Sequence, residues 1–245
     1  MDFSLIFPNI IKLLGQYWEI FLITGVKNTL ILTAISVAMG TVLGTVVAML
    51  KMSKFKLIRF IVALYVEVIR GTPILLQLYV FYFVIPQALK FLDMTPFMWV
   101  AVALCVNSAA YVSEVIRSGI QAVDKGQTEA ARSLGLSGSQ TMMKIVLPQA
   151  VRNILPALGN EFIMMLKETS LAATFFLGDL MTSCLIVKGA TYLTLEPMII
   201  VAMVYLCMTY PLSKLVEYFE KRMGGAGYRK KKKKSLKEIK AEVQA

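Results

Sequence analysis

Uncharged apolar runs recur along the chain at the length of a membrane span. Residues 28–50, from Asn28 to Leu50, contain no Asp, Glu, Lys or Arg. At about 1.5 Å per residue such a helix crosses a hydrocarbon core of about 30 Å. Gly40 and Gly44 form a G-x-x-x-G pair within it, which either permits close helix contact or stands there by chance. A second apolar stretch, about 57–85, is broken by Glu67, Arg70 and Gly71-Thr72-Pro73. Proline disfavours helical backbone at the residue before it, so one bent span is expected, kinked or broken near Thr72 and ended by Pro86. Residues 94–113 form a third run, residues 152–178 a fourth interrupted by Glu161, Lys167 and Glu168, and residues 197–213 a fifth. The pattern predicts an all-α membrane protein with five transmembrane helices.

Basic residues orient these spans, because loops on the cytoplasmic side carry an excess of Lys and Arg. Lys51, Lys54, Lys56 and Arg59 follow the first span, and Lys125, Arg132, Lys144 and Arg152 follow the third. Lys214, Lys221, Arg222 and the run Arg229–Lys234 follow the fifth. The opposite segments hold only Lys12, Lys27, Lys90 and Lys188. Five spans therefore put the N-terminus outside and the C-terminus in the cytoplasm. The chain divides into an external interfacial segment (1–19), a transmembrane domain (20–220) and a basic cytoplasmic tail (221–245). The N-terminus lacks the basic region and small-residue cleavage site of a typical signal peptide.

Composition agrees with this division. Of 245 residues, 57% are hydrophobic and 17% charged, more apolar and less charged than a soluble domain. The net charge of +11 lies mostly in the three cytoplasmic segments, without the aromatic interleaving of a nucleic-acid surface. Lys230–Lys234 read either as a solvated topology signal or as a contact for anionic lipid. The chain has no histidine, which excludes a Ser-His-Asp triad and His-ligated metal. Cys105, Cys184 and Cys207 are odd in number and far apart, and read as packing residues. No metal site, catalytic site or cofactor bound by this chain is expected.

The loop at about 124–148 is the most informative. A short helix is expected from Gly126 to Leu134, closed by Gly135 at the position after a helix end. Ser137 and Gln140 match the capping-box spacing S-x-x-Q, so a second helix should start there and run to about Val146, with Pro148 interrupting the chain beyond it. The small residues Ala130 and Ala131 leave room for a partner surface, or the pair of helices packs on its own bundle.

Glu129-Ala130-Ala131, Gly135, Ile145 and Leu147-Pro148 hold the spacing of the EAA loop, and the chain resembles the permeases of binding-protein-dependent ABC importers. Glu67 to Gln77, Asn107 to Ile120, and Asn160-Glu161-Phe162 with Lys167 to Leu171 resemble the motifs of the polar amino-acid (histidine/glutamine-type) subfamily. The resemblance covers roughly residues 20–215. It implies a MetI-like fold in the cytoplasmic membrane of a prokaryote and translocation of a polar amino acid. It also implies a second permease chain, an ATPase dimer docked on the EAA loop, and an extracytoplasmic amino-acid-binding protein. The chain itself has no G-x-x-x-x-G-K-[ST] loop, so ATP and Mg²⁺ would belong to the partner ATPase. The chain is then a transport subunit rather than an enzyme.

Ionisable residues within spans mark function or paired structure. Glu67 and Arg70, and Glu114 and Arg117, stand three residues apart and can pair on one helix. Glu161 falls about 13 Å into its span and Glu168 about 24 Å, nearly on one face. Glu161 is expected either to face the pathway and take an ammonium or to make an interhelical hydrogen bond. Thr72, Gln77, Asn107, Ser108 and Tyr111 are polar candidates for the same cavity. Lys167 and Glu168 either pair or gate the outer mouth, and Ser170 either joins the pathway or bonds its own backbone.

Overall fold

A segment buried in hydrocarbon must satisfy its backbone polar groups internally, and a helix does this alone. In a computed structural model the structure is described for residues 3–223, and every element among them is helical. Helix α1 (Ile6–Trp18) passes through a wide π-helical segment, Glu19–Gly25, into α2 (Val26–Lys51). Together they form one helix of 46 residues, Ile6–Lys51.

The second span departs from expectation. Helix α3 (Lys56–Gly71) ends at Thr72, and α4 (Ile74–Tyr79) continues through Val80–Val84 into α5 (Ile85–Ala88). The two parts differ in direction by 107°. Thr72 and Pro73 are both extended (ψ 148° and 134°), and consecutive extended residues redirect a chain where a proline kink would only bend it. Pro86 does not end the segment, because it lies in the first turn of α5, where a missing N–H costs nothing.

Helix α6 (Pro96–Gln121) outlasts the third apolar run by about two turns. Helices α7 (Lys125–Ser133) and α8 (Gly138–Thr141) lie in the loop. Pro148 does not interrupt the chain there. A π-helical segment, Met142–Val146, leads directly into α9 (Leu147–Glu168), and the N–H of Leu147 reaches back to the carbonyl of Met142. The wider turn gives the proline ring space in the first turn of α9. The 3-10 segment Thr169–Phe175 extends α9 until Phe176 adopts left-handed backbone (φ 52°).

Helix α10 (Leu180–Thr191) has no counterpart among the expected spans, and it stands at 43° to the preceding helix. Helix α11 (Leu195–Met223) continues through Pro211 and is longer than the fifth apolar run. Among the described residues three helices are long and apolar enough to span a membrane, and the number is five if each bent pair counts as one span. The tail 224–245 and its lysine run lie outside the described residues.

Two compact units divide the chain: residues 1–113 with 161–211, and residues 114–160 with 212–245. In the first, Leu32, Leu78, Val100, Leu104, Met165 and Phe175 form one core, and Ile10, Leu13, Phe21, Leu180, Val187 and Ile200 another. Gly40 and Gly44 let α2 approach α6 closely. A Cβ on Gly40 would fall 2.5 Å from Ser108 Oγ, and one on Gly44 2.8 Å from the Ala109 carbonyl. In the second unit Val123, Val146, Ala150 and Ile154 are buried together.

Candidate functional site

The first unit holds a chain of buried polar groups. Helix α3 ends without backbone partners for its last carbonyls, as every helix does. Thr72 Oγ1 donates to the Val68 carbonyl at 2.8 Å, and Gln77 Nε2 donates to the Ile69 carbonyl at 2.7 Å and to Thr72 Oγ1 at 2.9 Å. Asn107 Nδ2 on α6 in turn donates to Gln77 Oε1 at 2.9 Å. The redirected backbone at Gly71–Pro73 is thus stitched by side chains from two helices. Thr72, Gln77 and Asn107 are thereby held in one hydrogen-bonded chain, with the amide protons of Gln77 already in use.

Ser108, the next residue on α6, is fully buried beside the Glu161 carboxylate. Its hydroxyl makes no hydrogen bond of ordinary geometry among the described residues, and neither does the buried Ser36 hydroxyl of α2. Glu161 is 8% exposed, and no salt bridge reaches it among the described residues. A buried carboxylate next to an open hydroxyl is costly unless a hydrogen-bond donor or cation completes it. Glu168 stands seven residues further along the same helix, nearly on one face with Glu161. Glu168, Lys167 and Ser170 line a separate open cavity of about 360 Å³ with Met164 and Leu171. Tyr111 lies on the same face of α6 as Asn107, and its ring carries the Arg70 guanidinium at 5.3 Å from the centroid.

The second unit contains the loop, built as the motif spacing predicts. Asp124 caps α7 by accepting from Gly126 N at 2.7 Å. At the other end Gly135 N donates to the Arg132 carbonyl at 3.0 Å and Leu136 N to the Ala131 carbonyl at 3.1 Å. This Schellman arrangement needs left-handed backbone at Gly135, whose φ is +85°. Ser137 and Gln140 form both halves of a capping box at 3.2 and 2.8 Å. Glu129, Ala130, Gly135 and Pro148 are exposed, whereas Ala131 is buried and Ile145 and Leu147 half-buried. Ala131 therefore serves packing beneath α7, and Ala130 alone of the two presents its small side chain outward. Glu114 and Arg117 form the predicted pair at 2.6 Å in this unit, and Arg117 also donates to Gln121.

Residues 40–225 match the family described as the binding-protein-dependent transport system inner membrane component. The chain belongs to that family. Among its relatives it is 40% identical, over 91% of its own length and 97% of the relative's, to the arginine transport system permease protein ArtQ of Bacillus subtilis (strain 168). It is also 40% identical to the probable glutamine ABC transporter permease protein GlnM of the same organism, over 91% and 98%. A crystal structure of an amino acid ABC transporter with histidines superposes with a TM-score of 0.81 at 45% identity, covering 85% of this chain and 96% of that one. The MetNI methionine transporter, at 20% identity and a TM-score of 0.68, shares the fold. The chain is thus a membrane permease with the MetI-like architecture.

This inner membrane component holds a second buried polar group, one absent from the sequence-based candidates. Asp179 caps α10, accepting from Met181 N at 2.9 Å and from the Thr182 hydroxyl. Thr29 Oγ1 accepts from Leu180 N at 3.0 Å, and Asn28 Nδ2 donates to the Gly178 carbonyl at 3.0 Å. These bonds satisfy the backbone at the break before α10. The sequence does carry a signal for it: Gly178-Asp179 with Thr182 three residues on, a turn-and-cap pattern hidden inside an apolar run.

Proposed function

We propose that the chain is the permease subunit of an ATP-binding-cassette importer that carries a polar amino acid into the cytoplasm of a prokaryote. The observation that carries the reading is the Glu161 carboxylate, buried beside the Ser108 hydroxyl with no cation paired to it among the described residues. An amino acid brings an ammonium, and arginine adds a guanidinium, so the substrate supplies the positive charge that this carboxylate lacks. Relatives named for arginine and for glutamine support a polar substrate. Thr72, Gln77, Asn107 and Tyr111 shape the wall, and Lys167, Glu168 and Ser170 line the way toward its outer mouth.

Energy comes from a separate ATPase dimer that binds and hydrolyses ATP with Mg²⁺. The loop carrying Glu129, Ala130, Gly135 and Pro148 is the docking element, with Ala131, Ile145 and Leu147 packed behind it. Its two capped helices make it stiff enough to pass a push from the ATPase to the spans. A second permease chain completes the pathway by two-fold or pseudo-two-fold pairing, and an extracytoplasmic binding protein delivers the substrate. The test is uptake of labelled amino acid into proteoliposomes holding the permease with its ATPase and binding protein. Replacing Glu161 by Ala should lower uptake severely while the complex still assembles. Unchanged kinetics would assign Glu161 to packing.

A further inference from the structure

The turn between α2 and α3 has a composition that neither coupling nor translocation uses. Lys54, Lys56 and Arg59 are all exposed, and no Asp or Glu occurs between Glu19 and Glu67. The turn is ordered by its own bonds: Met52 N donates to the Ala48 carbonyl, Ser53 N to the Leu50 carbonyl, and Phe55 N to Ser53 Oγ. Further along α3, Leu57, Ile61, Leu64 and Val68 are all more than half exposed, on the face opposite Arg59. Their spacing of four, three and four residues places them in one narrow stripe along α3. From Leu57 to Val68 the stripe is about 16 Å long. That matches half of a hydrocarbon core of about 30 Å, which is one leaflet.

We propose that this turn and stripe bind anionic phospholipid of the cytoplasmic leaflet. Lys54 and Lys56, at the start of α3, hold the phosphodiester headgroup, and the Leu57–Val68 stripe holds an acyl chain. The inference rests on the cytoplasmic placement of the turn. A second copy of the chain is a poorer occupant, because a two-fold contact about the membrane normal brings the like charges of the turn together, and the nearest acid on α3, Glu67, lies about 16 Å along the helix from Lys56. Lysine and arginine stems reach along apolar surface while their heads meet phosphate, which suits this juxtaposition.

The assembled transporter, placed in nanodiscs of equal phosphatidylcholine and phosphatidylglycerol, is released and its retained lipids are counted by native mass spectrometry. The wild type should retain phosphatidylglycerol with roughly tenfold preference. The double variant K54Q/K56Q should lose that preference, whereas K54R/K56R and R59Q, on the opposite face of α3, should keep it. Replacing Lys230–Lys234 by Gln should leave it unchanged. No preference in the wild type overturns the proposal, as does a preference that vanishes with the tail lysines alone. A shift of the double variant to a different subunit stoichiometry overturns it in favour of a protein contact. Should the double variant fail to insert, loss of the wild-type preference at raised ionic strength supports the site, and salt-insensitive retention overturns it. Nanodiscs carry the anion in both leaflets, so these outcomes stand apart from whether the chain imports amino acids.

Discussion

Asn107 Nδ2 donates to Gln77 Oε1 at 2.9 Å, tying α6 to the break between α3 and α4. Gln77 passes the restraint on, since its amide nitrogen reaches the Ile69 carbonyl at 2.7 Å. One side chain thus replaces the backbone partner that Ile69 loses where the helix stops. Replacing Gln77 by Leu leaves that carbonyl and the Asn107 amide unpaired in an apolar surround. A buried group left unsatisfied costs about 1–3 kcal/mol. The Q77L transporter should therefore melt several degrees lower in detergent, and Asn107→Leu should add little further loss in the Q77L background. Equal, additive losses would show that the two residues act independently.

The close approach of α2 to α6 depends on the absence of a side chain at Gly40 and Gly44. Gly40→Val would force the Ser108 hydroxyl aside, and overpacking of this kind costs about 1–3 kcal/mol. Ser108 borders Glu161, so uptake should fall in G40V together with thermal stability. Gly15→Val, where nothing lies within 4 Å of the added Cβ, should leave both unchanged.

Gly135 has φ +85°, a conformation that costs other residues about 1–2 kcal/mol. Gly135→Asp should leave insertion intact and abolish co-purification of the ATPase, measured by pull-down from solubilised membranes. ATP-driven uptake by G135D at the wild-type rate would remove the coupling role from this loop.

Asp179 is fully buried and caps α10 through two backbone N–H groups and the Thr182 hydroxyl. Asp179→Ala should destabilise the permease by at least the roughly 1 kcal/mol of a lost cap. Asn is an equally good cap, so Asp179→Asn should recover most of that loss in a thermal melt. A D179N protein as unstable as D179A would show that the charge, not the cap, is what this position requires.

Much of this architecture is legible in the sequence because it obeys local rules. The runs at Asn28–Leu50 and Met94–Ser113 carry no charge, and each forms a helix within a few residues of its expected start. The loop is readable in detail because Gly135 and the Ser137/Gln140 box act within a handful of residues of themselves. The angle at Gly71–Pro73 is not readable: proline locates a break, but the direction afterwards depends on what Gln77 and Asn107 bond. Pro148 misleads because the widened turn over Met142–Val146 leaves no mark in composition. Helix α10 is hidden because its apolar residues continue those of α9, and only Asp179 separates the two. The Arg70–Tyr111 contact joins two helices and has no local signature, whereas Glu114 and Arg117 pair on one helix three residues apart.

ATP-driven uptake of labelled arginine and glutamine into proteoliposomes, with the cognate ATPase inside and the binding protein outside, is the most direct measurement. Accumulation of a polar amino acid that requires ATP, the binding protein and Glu161 is the predicted result. Uptake that proceeds without the ATPase, or no amino-acid uptake from a fully assembled complex, would contradict it.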